Sequence, residues 1–423
     1  MRLTKAVCVL GSVGGRVMVY VLGGWQSDFS RNWAREGMEI ADGFAEALNH
    51  GLEAAQLDPT EIEVGHVGNF VGELFCGQGM MGGLFAQTDR RFDGMPTARH
   101  EAACASGSLA IMAAMAEIEA GRYDTACVLG LEMMRNVPGQ VAAEHLGAAA
   151  WAGHEFTDTP FVWPRAFSDI GDVYQERFGL KHEHLARIAE INFDNAKRNP
   201  NAQTRKWQFT PASFTQDDEA NPVIEGNIRR QDCGQVTDGS AVVFLASERA
   251  AADYARKRGL SLEQLPRIKG WGHTGAPLSL RSKLEVMDDA GWMFPHVKKA
   301  GEDARHRAGL GDVWDVDAVE THDCFTTTEY MAIEHLGLTA AGEAWKAVED
   351  GTIAAGGALP FNPSGGLIGL GHPVGATGVR MVLDAAKQVS GMAGDYQVEG
   401  AKNVQTLNIG GSTTTTVSFV VGT

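Results

Sequence analysis

The run Asn362-Pro-Ser-Gly-Gly-Leu-Ile-Gly-Leu-Gly-His-Pro-Val-Gly-Ala-Thr-Gly378 limits the possible folds more than any other stretch of the chain. A phosphate-loop reading fails, because no Gly-Lys-Ser/Thr follows and the GxG fragment lacks dinucleotide-fold spacing after a strand. What remains is a long loop of permissive backbone that presents His372, fixed in direction by Pro373. A helix follows, with an apolar stripe of Val379, Val382, Leu383 and Ala386. A lone histidine is most often a satisfied packing residue. One held between Gly371 and Pro373 in such a loop reads instead as a catalytic base.

The rest of the chain sets this loop in an α/β context, since strand-like and helix-like runs alternate. Strands are expected at Val17–Leu22, Thr125–Leu129, Ala241–Leu245, Val316–Glu320 and Thr416–Val421. Residues 133–232 are richer in Asn, Gln, Trp and charge, carry helical patterns at Phe167–Phe178 and His182–Ala196, and read as an inserted lobe. The expected organisation is one half from 1–132 with 233–266, the inserted loop domain 133–232, and a second half 267–423. Residues 1–15 read as an extension ahead of the fold.

Two segments share the order strand, cysteine, helix. Pro96–Ala103 leads to Cys104 and then to an all-round apolar helix, Ser106–Ala120. Val316–Glu320 leads through His322 to Cys324 and then to Thr326–Leu336. Two cysteines placed alike in two halves are expected to face one cleft on a pseudo-twofold axis. A cysteine at a helix N-terminus sits among unpartnered N–H groups at the positive end of the helix dipole, which favours the thiolate. The competing reading of Cys104 is a buried structural cysteine. Near the end, Leu407-Asn-Ile-Gly-Gly-Ser-Thr413 brings adjacent glycines whose N–H groups suit an oxyanion hole, a tight turn being the alternative.

A formal charge of −17 argues against nucleic acid or an anionic membrane as partner. The six cysteines are scattered without CxxC or Cys/His metal spacing, so no metal site and a reducing, cytoplasmic setting are expected. No segment approaches the roughly 20 apolar residues of a membrane helix.

Taken in order, Cys104 with its Ala-Ser-Gly context, the Asp238-Gly239-Ser240-Ala241 turn, the Asn362–Gly378 loop and Gly410-Gly411 resemble the thiolases over nearly the whole chain. His322-Asp-Cys-Phe325 is similar to the sterol-carrier-protein-type subgroup, where ordinary thiolases carry Asn-Glu-Ala-Phe. The resemblance implies a duplicated five-layer α-β-α-β-α fold with an inserted loop domain. It implies an acyl-CoA C-acyltransferase of lipid metabolism that forms or cleaves 3-ketoacyl-CoA. In that scheme Cys104 is the acylated nucleophile and His372 its base. His372 and His322 hold the thioester oxygen, Cys324 is the second acid/base, and Gly410 with the Cys104 backbone forms the second oxyanion hole. The ordinary family's C-terminal Cys-x-Gly is replaced by Asn408-Ile-Gly410, a loss that Cys324 compensates. Coenzyme A enters as substrate or product, with no permanently bound cofactor. Arg205, Lys206, Arg229 and Arg230 are candidates for its phosphates, though charge runs are usually solvated faces. Trp163, Tyr174 and Trp207 are weaker candidates for the acyl pocket. A homodimer is expected, with a tetramer as the alternative. The rival readings are a subunit that works with an OB-fold/zinc partner in C-acylation or retro-aldol cleavage, and a ketoacyl synthase.

Overall fold

The computed structural model describes residues 17–286 and 291–423; the extension expected at 1–15 lies outside the described residues. The strands are β1 (Val19–Gln26), β2 (Val64–Gly68), β3 (Thr97–His100), β4 (Thr125–Glu132), the small hairpin β5 (Val223–Glu225) and β6 (Ile228–Arg229), β7 (Gly239–Ser247), β8 (Arg267–Gly275), β9 (Ala318–Thr321), β10 (Asn403–Gly410) and β11 (Thr415–Gly422). All but the hairpin form one nine-stranded sheet in the order β3-β2-β4-β7-β1-β8-β11-β10-β9. The helices used below are α1 (Ile40–Ala55), α2 (Ser106–Glu119), α3 (Val162–Phe178), α4 (His182–Ala196), α5 (Glu248–Lys257), α6 (Pro295–Ala308), α7 (Thr326–His335) and α8 (Thr377–Val389).

The sheet repeats itself outward from its middle. β1 pairs antiparallel with β7 and β7 with β4, while β4–β2 and β2–β3 are parallel. On the other side β8–β11 and β11–β10 are antiparallel and β10–β9 is parallel, and a parallel bridge between Val319 and Phe361 stands where β3 stands in the first half. Within the sheet the halves are joined by a short antiparallel pairing of β1 with β8 at Val19–Ile268 and Tyr20–Arg267.

Period-2 side-chain alternation builds the layers. Val19 and Val21 of β1, with Ala241, Val243 and Leu245 of β7, face a central core shared with α2 and α8. Tyr20, Leu22, Val242 and Phe244 point the other way, into a core closed by α1 and α5. In the second half Val319, Leu407 and Ile409 face a core closed by α6, α7 and the lobe helix α3. The result is helix, half-sheet, helix pair, half-sheet, helix, the two half-sheets being continuous through β1 and β8. Strands buried on both faces explain the near-continuous apolar runs in the sequence.

This repeat revises how the two cysteines correspond. α2 and α8 are the equivalent elements, each following the third strand position of its half. The counterpart of the Cys104 turn is therefore the His372 loop, not the Cys324 segment. Cys324 follows β9 and matches the stretch after β2. The sequence pattern paired the cysteines because strand–cysteine–helix is local, whereas strand pairing is not.

α2 and α8 touch at their N-termini through glycine. A Cβ on Gly107 would lie 2.9 Å from the Val379 nitrogen, and one on Gly378 would lie 2.3 Å from the Ser108 nitrogen, closer than real side chains come. This backbone-to-backbone approach brings the loops ahead of both helices, and so Cys104 and His372, to one place.

Candidate active site

Cys104 sits in the tight turn Ala103–Ala105 between β3 and α2. Ala103 adopts φ +49°, a left-handed conformation that costs about 1–3 kcal/mol in a non-glycine residue. Its N–H donates to Glu101 Oε1 at 2.6 Å, and Ser106 Oγ accepts from the Ala102 N–H at 2.9 Å and donates to the Ala103 carbonyl at 2.6 Å. The strained turn is held from both ends and directs the sulfur into a cavity.

That cavity measures about 450 Å³ and is lined by Cys104, Cys324, His372 and Gly411 together with a largely apolar wall. The Cys104 sulfur and one ring nitrogen each of His322 and His372 all lie within 4.8 Å of one another. The two rings meet edge to face, with centroids 5.3 Å apart and planes at 86°. Nε2 of each finds no hydrogen-bonding partner among the described residues, although both rings are buried. Unpartnered buried nitrogens are expensive, and their survival here marks a site built to meet a ligand.

The loop carrying His372 is pinned by buried groups remote in sequence. The His372 N–H donates to Thr237 Oγ1 at 3.0 Å and the Gly375 N–H to Glu132 Oε2 at 3.0 Å. The Leu367 and Ile368 N–H groups donate to Asp323. Glu132 also accepts from the Phe70 N–H at 3.0 Å and from Asn69 Nδ2 at 2.8 Å. His372 Nδ1 lies 2.7 Å from Thr377 Oγ1, whose hydroxyl bonds the Pro373 carbonyl at 3.2 Å. With the hydroxyl proton given to that carbonyl, Nδ1–H is the donor and Nε2 keeps its lone pair, as a base requires.

Comparison with known proteins meets this geometry from outside. The thiolase N-terminal domain model matches residues 19–249, and the thiolase C-terminal domain-like model matches 279–423. The chain belongs to the thiolase family. It is 30% identical over 396 residues to an acetyl-CoA acetyltransferase of Methanothermobacter thermautotrophicus, covering 93% of this chain and 96% of that one. It is 29% identical over 413 residues to human sterol carrier protein 2, covering 94% of this chain and 71% of that protein. Among solved structures, the Ltp2-ChsH2(DUF35) aldolase superposes with a TM-score of 0.76 at 21% identity, covering 96% of this chain and 97% of that one. Human mitochondrial 3-ketoacyl-CoA thiolase in complex with CoA superposes with a TM-score of 0.68 at 17% identity, covering 96% and 98%. The thiolase fold expected from the motifs is therefore the fold of this chain.

Within this thiolase fold the residues singled out by sequence divide cleanly. Cys104, His322 and His372 converge, and Cys324 lines the same cavity at the start of α7, its sulfur 3.9 Å from Thr328 Oγ1. Gly410 ends β10, paired with Thr415; the backbone N–H that faces the Cys104 sulfur is that of Gly411, one residue further on. Of the four cations considered for coenzyme A, only Arg230 lines the cavity. Arg205 is engaged by Asp28 through two bonds of 2.8 and 2.7 Å, and Arg229 pairs with Asp218 at 2.8 Å. Lys206 lines a separate surface cleft beside Lys387 and Tyr396. Trp163 lines the cavity, with its Nε1 donating to the Leu146 carbonyl at 2.9 Å. Tyr174 is core, bonded to Glu334 at 2.7 Å, and Trp207 is exposed outside the cavity.

Burial is the largest influence on the ionisation of these groups. It pushes the Cys104 thiol up to about 12, against the opposing pull of the N–H groups of Gly411 and of Cys104 itself. That direction runs against the thiolate expected from the helix N-terminus. Burial raises Cys324 well above the usual thiol value as well, and lowers His372 to about 3. These directions favour two thiols and neutral imidazoles at rest. Alkylation of Cys104 by iodoacetamide, followed by peptide mass spectrometry, is expected to rise about tenfold per pH unit between pH 7 and 9 without levelling. A plateau at neutral pH would show a pre-formed thiolate instead.

Proposed function

We propose that this chain is a CoA-dependent C-acyltransferase that cleaves or forms a 3-ketoacyl-CoA through an acyl-Cys104 intermediate. The observation that carries the proposal is the meeting of Cys104, His372 and Cys324 at one apolar cavity, with His322 clustered behind Cys104 and His372 and two ring nitrogens left without partners among the described residues.

In cleavage, His372 Nε2 takes the Cys104 proton as the sulfur attacks the 3-keto carbonyl. The carbon–carbon bond breaks, and the departing carbanion equivalent takes its proton from the Cys324 thiol. The Cys324 thiolate then deprotonates incoming coenzyme A, whose sulfur attacks the acyl-Cys104 carbonyl. Cys104 leaves and recovers its proton from His372. Condensation is the same sequence reversed. A Cys324 thiol kept protonated by burial is the correct form for an acid at rest, and its thiolate is the stronger base for that reason. The N–H groups of Gly411 and Cys104 suit the acyl-enzyme oxygen, where one donor is worth about 3 kcal/mol of barrier.

The cavity wall of Phe70, Leu146, Trp163, Phe167, Ile224 and Phe325 supports an acyl group much larger than acetyl. Turnover of a graded 3-ketoacyl-CoA series with free coenzyme A tests both activity and size. We expect kcat/KM to rise roughly fourfold per methylene that the wall buries. Best turnover of the four-carbon substrate, falling with length, would contradict the size argument. Absence of coenzyme-A-dependent cleavage throughout would contradict the activity. Cleavage that requires a co-purifying protein would favour the OB-fold/zinc partner arrangement.

A homodimer is supported by the unpaired outer edge of β3 and by the half-buried apolar stripe of Leu109 and Met112 on neighbouring α2. The free thiols of Cys76, Cys104, Cys127, Cys233 and Cys324 fit a reducing cytoplasm. Among the described residues no helix is long and apolar enough to cross a membrane.

A further inference from the structure

We infer that Asn408 is a positioning residue that fixes the tautomer of His322, making its Nε2 a hydrogen-bond donor to substrate and withholding it from metal ions. The side-chain orientation of Asn408 is set by two neighbours. Its Oδ1 accepts from Ser108 Oγ at 2.8 Å, and its Nδ2 donates to the Cys104 carbonyl at 3.1 Å. Turning the amide over would place oxygen against that carbonyl oxygen, so the nitrogen must face it. The same Nδ2 lies 3.2 Å from His322 Nδ1. Facing an N–H donor, Nδ1 must accept, and the neutral ring then carries its proton on Nε2. His322 is about 1% exposed, and its Nε2 has no partner among the described residues. It therefore carries an unpartnered N–H beside the cavity-lining His372, which carries an unpartnered lone pair.

The distinction matters because Cys104, His322 and His372 offer a thiol and two imidazoles within 4.8 Å, a set that suits a soft divalent ion. A ring protonated at Nε2 cannot ligate through that atom. An aspartate at 408 would accept from Nδ1–H, the arrangement that orients metal-binding histidines. One asparagine thus separates an oxyanion donor from a metal ligand. This deepens the acyltransferase reading in assigning His322 to the thioester oxygen, but the tautomer is measurable without substrate.

Two measurements test it on the full-length protein. Nitrogen-15 NMR with labelled histidine should show the His322 resonances, assigned by loss in His322→Gln, as proton-bearing at Nε2 and proton-free at Nδ1. A proton on Nδ1 would overturn the inference whatever the enzyme turns out to catalyse. Cobalt(II) titration, read by its sulfur-to-metal charge-transfer band, should show about 10–100-fold tighter binding to Asn408→Asp than to wild type. Asn408→Ala removes the donor without supplying an acceptor, so it should show an intermediate gain and a mixed tautomer, and it covers the case in which the aspartate variant fails to fold. Unchanged cobalt affinity in a folded variant would overturn the inference. An unaltered tautomer with a failed coenzyme A assay would instead sink the acyltransferase reading alone.

Discussion

Cys324→Ala is expected to accept an acyl group on Cys104 and stop there, with condensation and cleavage falling by about 10²–10⁴-fold. The reason lies in how the proton traffic divides. His372 is held by Thr377 and aimed at Cys104, so loading of the first thiol does not depend on Cys324. Release or capture of the carbanion equivalent does in the proposed mechanism, in which His322 serves as a donor and not as a second base. The alanine leaves the wall intact and removes only the sulfur, so KM should move far less than kcat. Substrate consumption, with intact mass of the same sample, separates loading from carbon–carbon chemistry. Full turnover in Cys324→Ala would remove its assigned role.

Arg380→Ala is expected to destabilise the protein by about 3–5 kcal/mol. α8 lies in the middle layer, and every residue of it except Lys387 is buried. Its polar residues therefore seek partners within the fold, although Arg380 Nε and Nη2 have none among the described residues. Arg380 bonds Glu320 Oε2 at 2.7 Å, Asp384 Oδ2 at 3.2 Å and Ser364 Oγ at 3.0 Å, while Tyr396 donates to Asp384 at 2.8 Å. Removing the guanidinium leaves Glu320 with Ser364 alone, and Asp384 with Tyr396 and Lys387 at 3.6 Å, without the charge that neutralised both. For a chain of this length that corresponds to a Tm lower by about 3–5 °C in calorimetry. Arg380→Met combined with Glu320→Gln and Asp384→Asn should regain most of the loss, since the charges and not the volume are at issue. A Tm equal to wild type in Arg380→Ala would show that the cluster carries no net stability. Because Ser364 opens the loop that ends at His372, the single variant should also lose activity before it unfolds.

The parts of this account that were legible in the sequence are those written in local chemistry. Glycine around His372, small residues around Cys104 and the His-Asp-Cys-Phe segment each signal their roles within a few positions. Strand centres were legible for the same reason, while ends were not: β1 continues through Gly23 and Gly24 to Gln26 by way of a bulge that no local pattern announces. The long-range partners were illegible. Asn408 read only as a missing cysteine, yet it touches Cys104, Ser108 and His322, residues 86 to 304 positions away. Thr377, Glu132 and Asp323 support the site through bonds that exist only once the halves fold together. The placement of the cations was illegible for a related reason. A sequence cannot distinguish Arg205, engaged by Asp28, from Arg230 at the cavity. Burial, which opposes the thiolate, was illegible because it is a property of the whole fold, whereas the dipole is a property of the local helix.

The intact mass of the protein after incubation with a medium-chain acyl-CoA goes straight to the chemistry on which everything else depends. The wild type should gain the mass of one acyl group, localised to the Cys104 peptide, and Cys104→Ser should gain none. A wild-type mass that does not change, or an adduct that persists in the serine variant, would mean that this sulfur does not carry the acyl group.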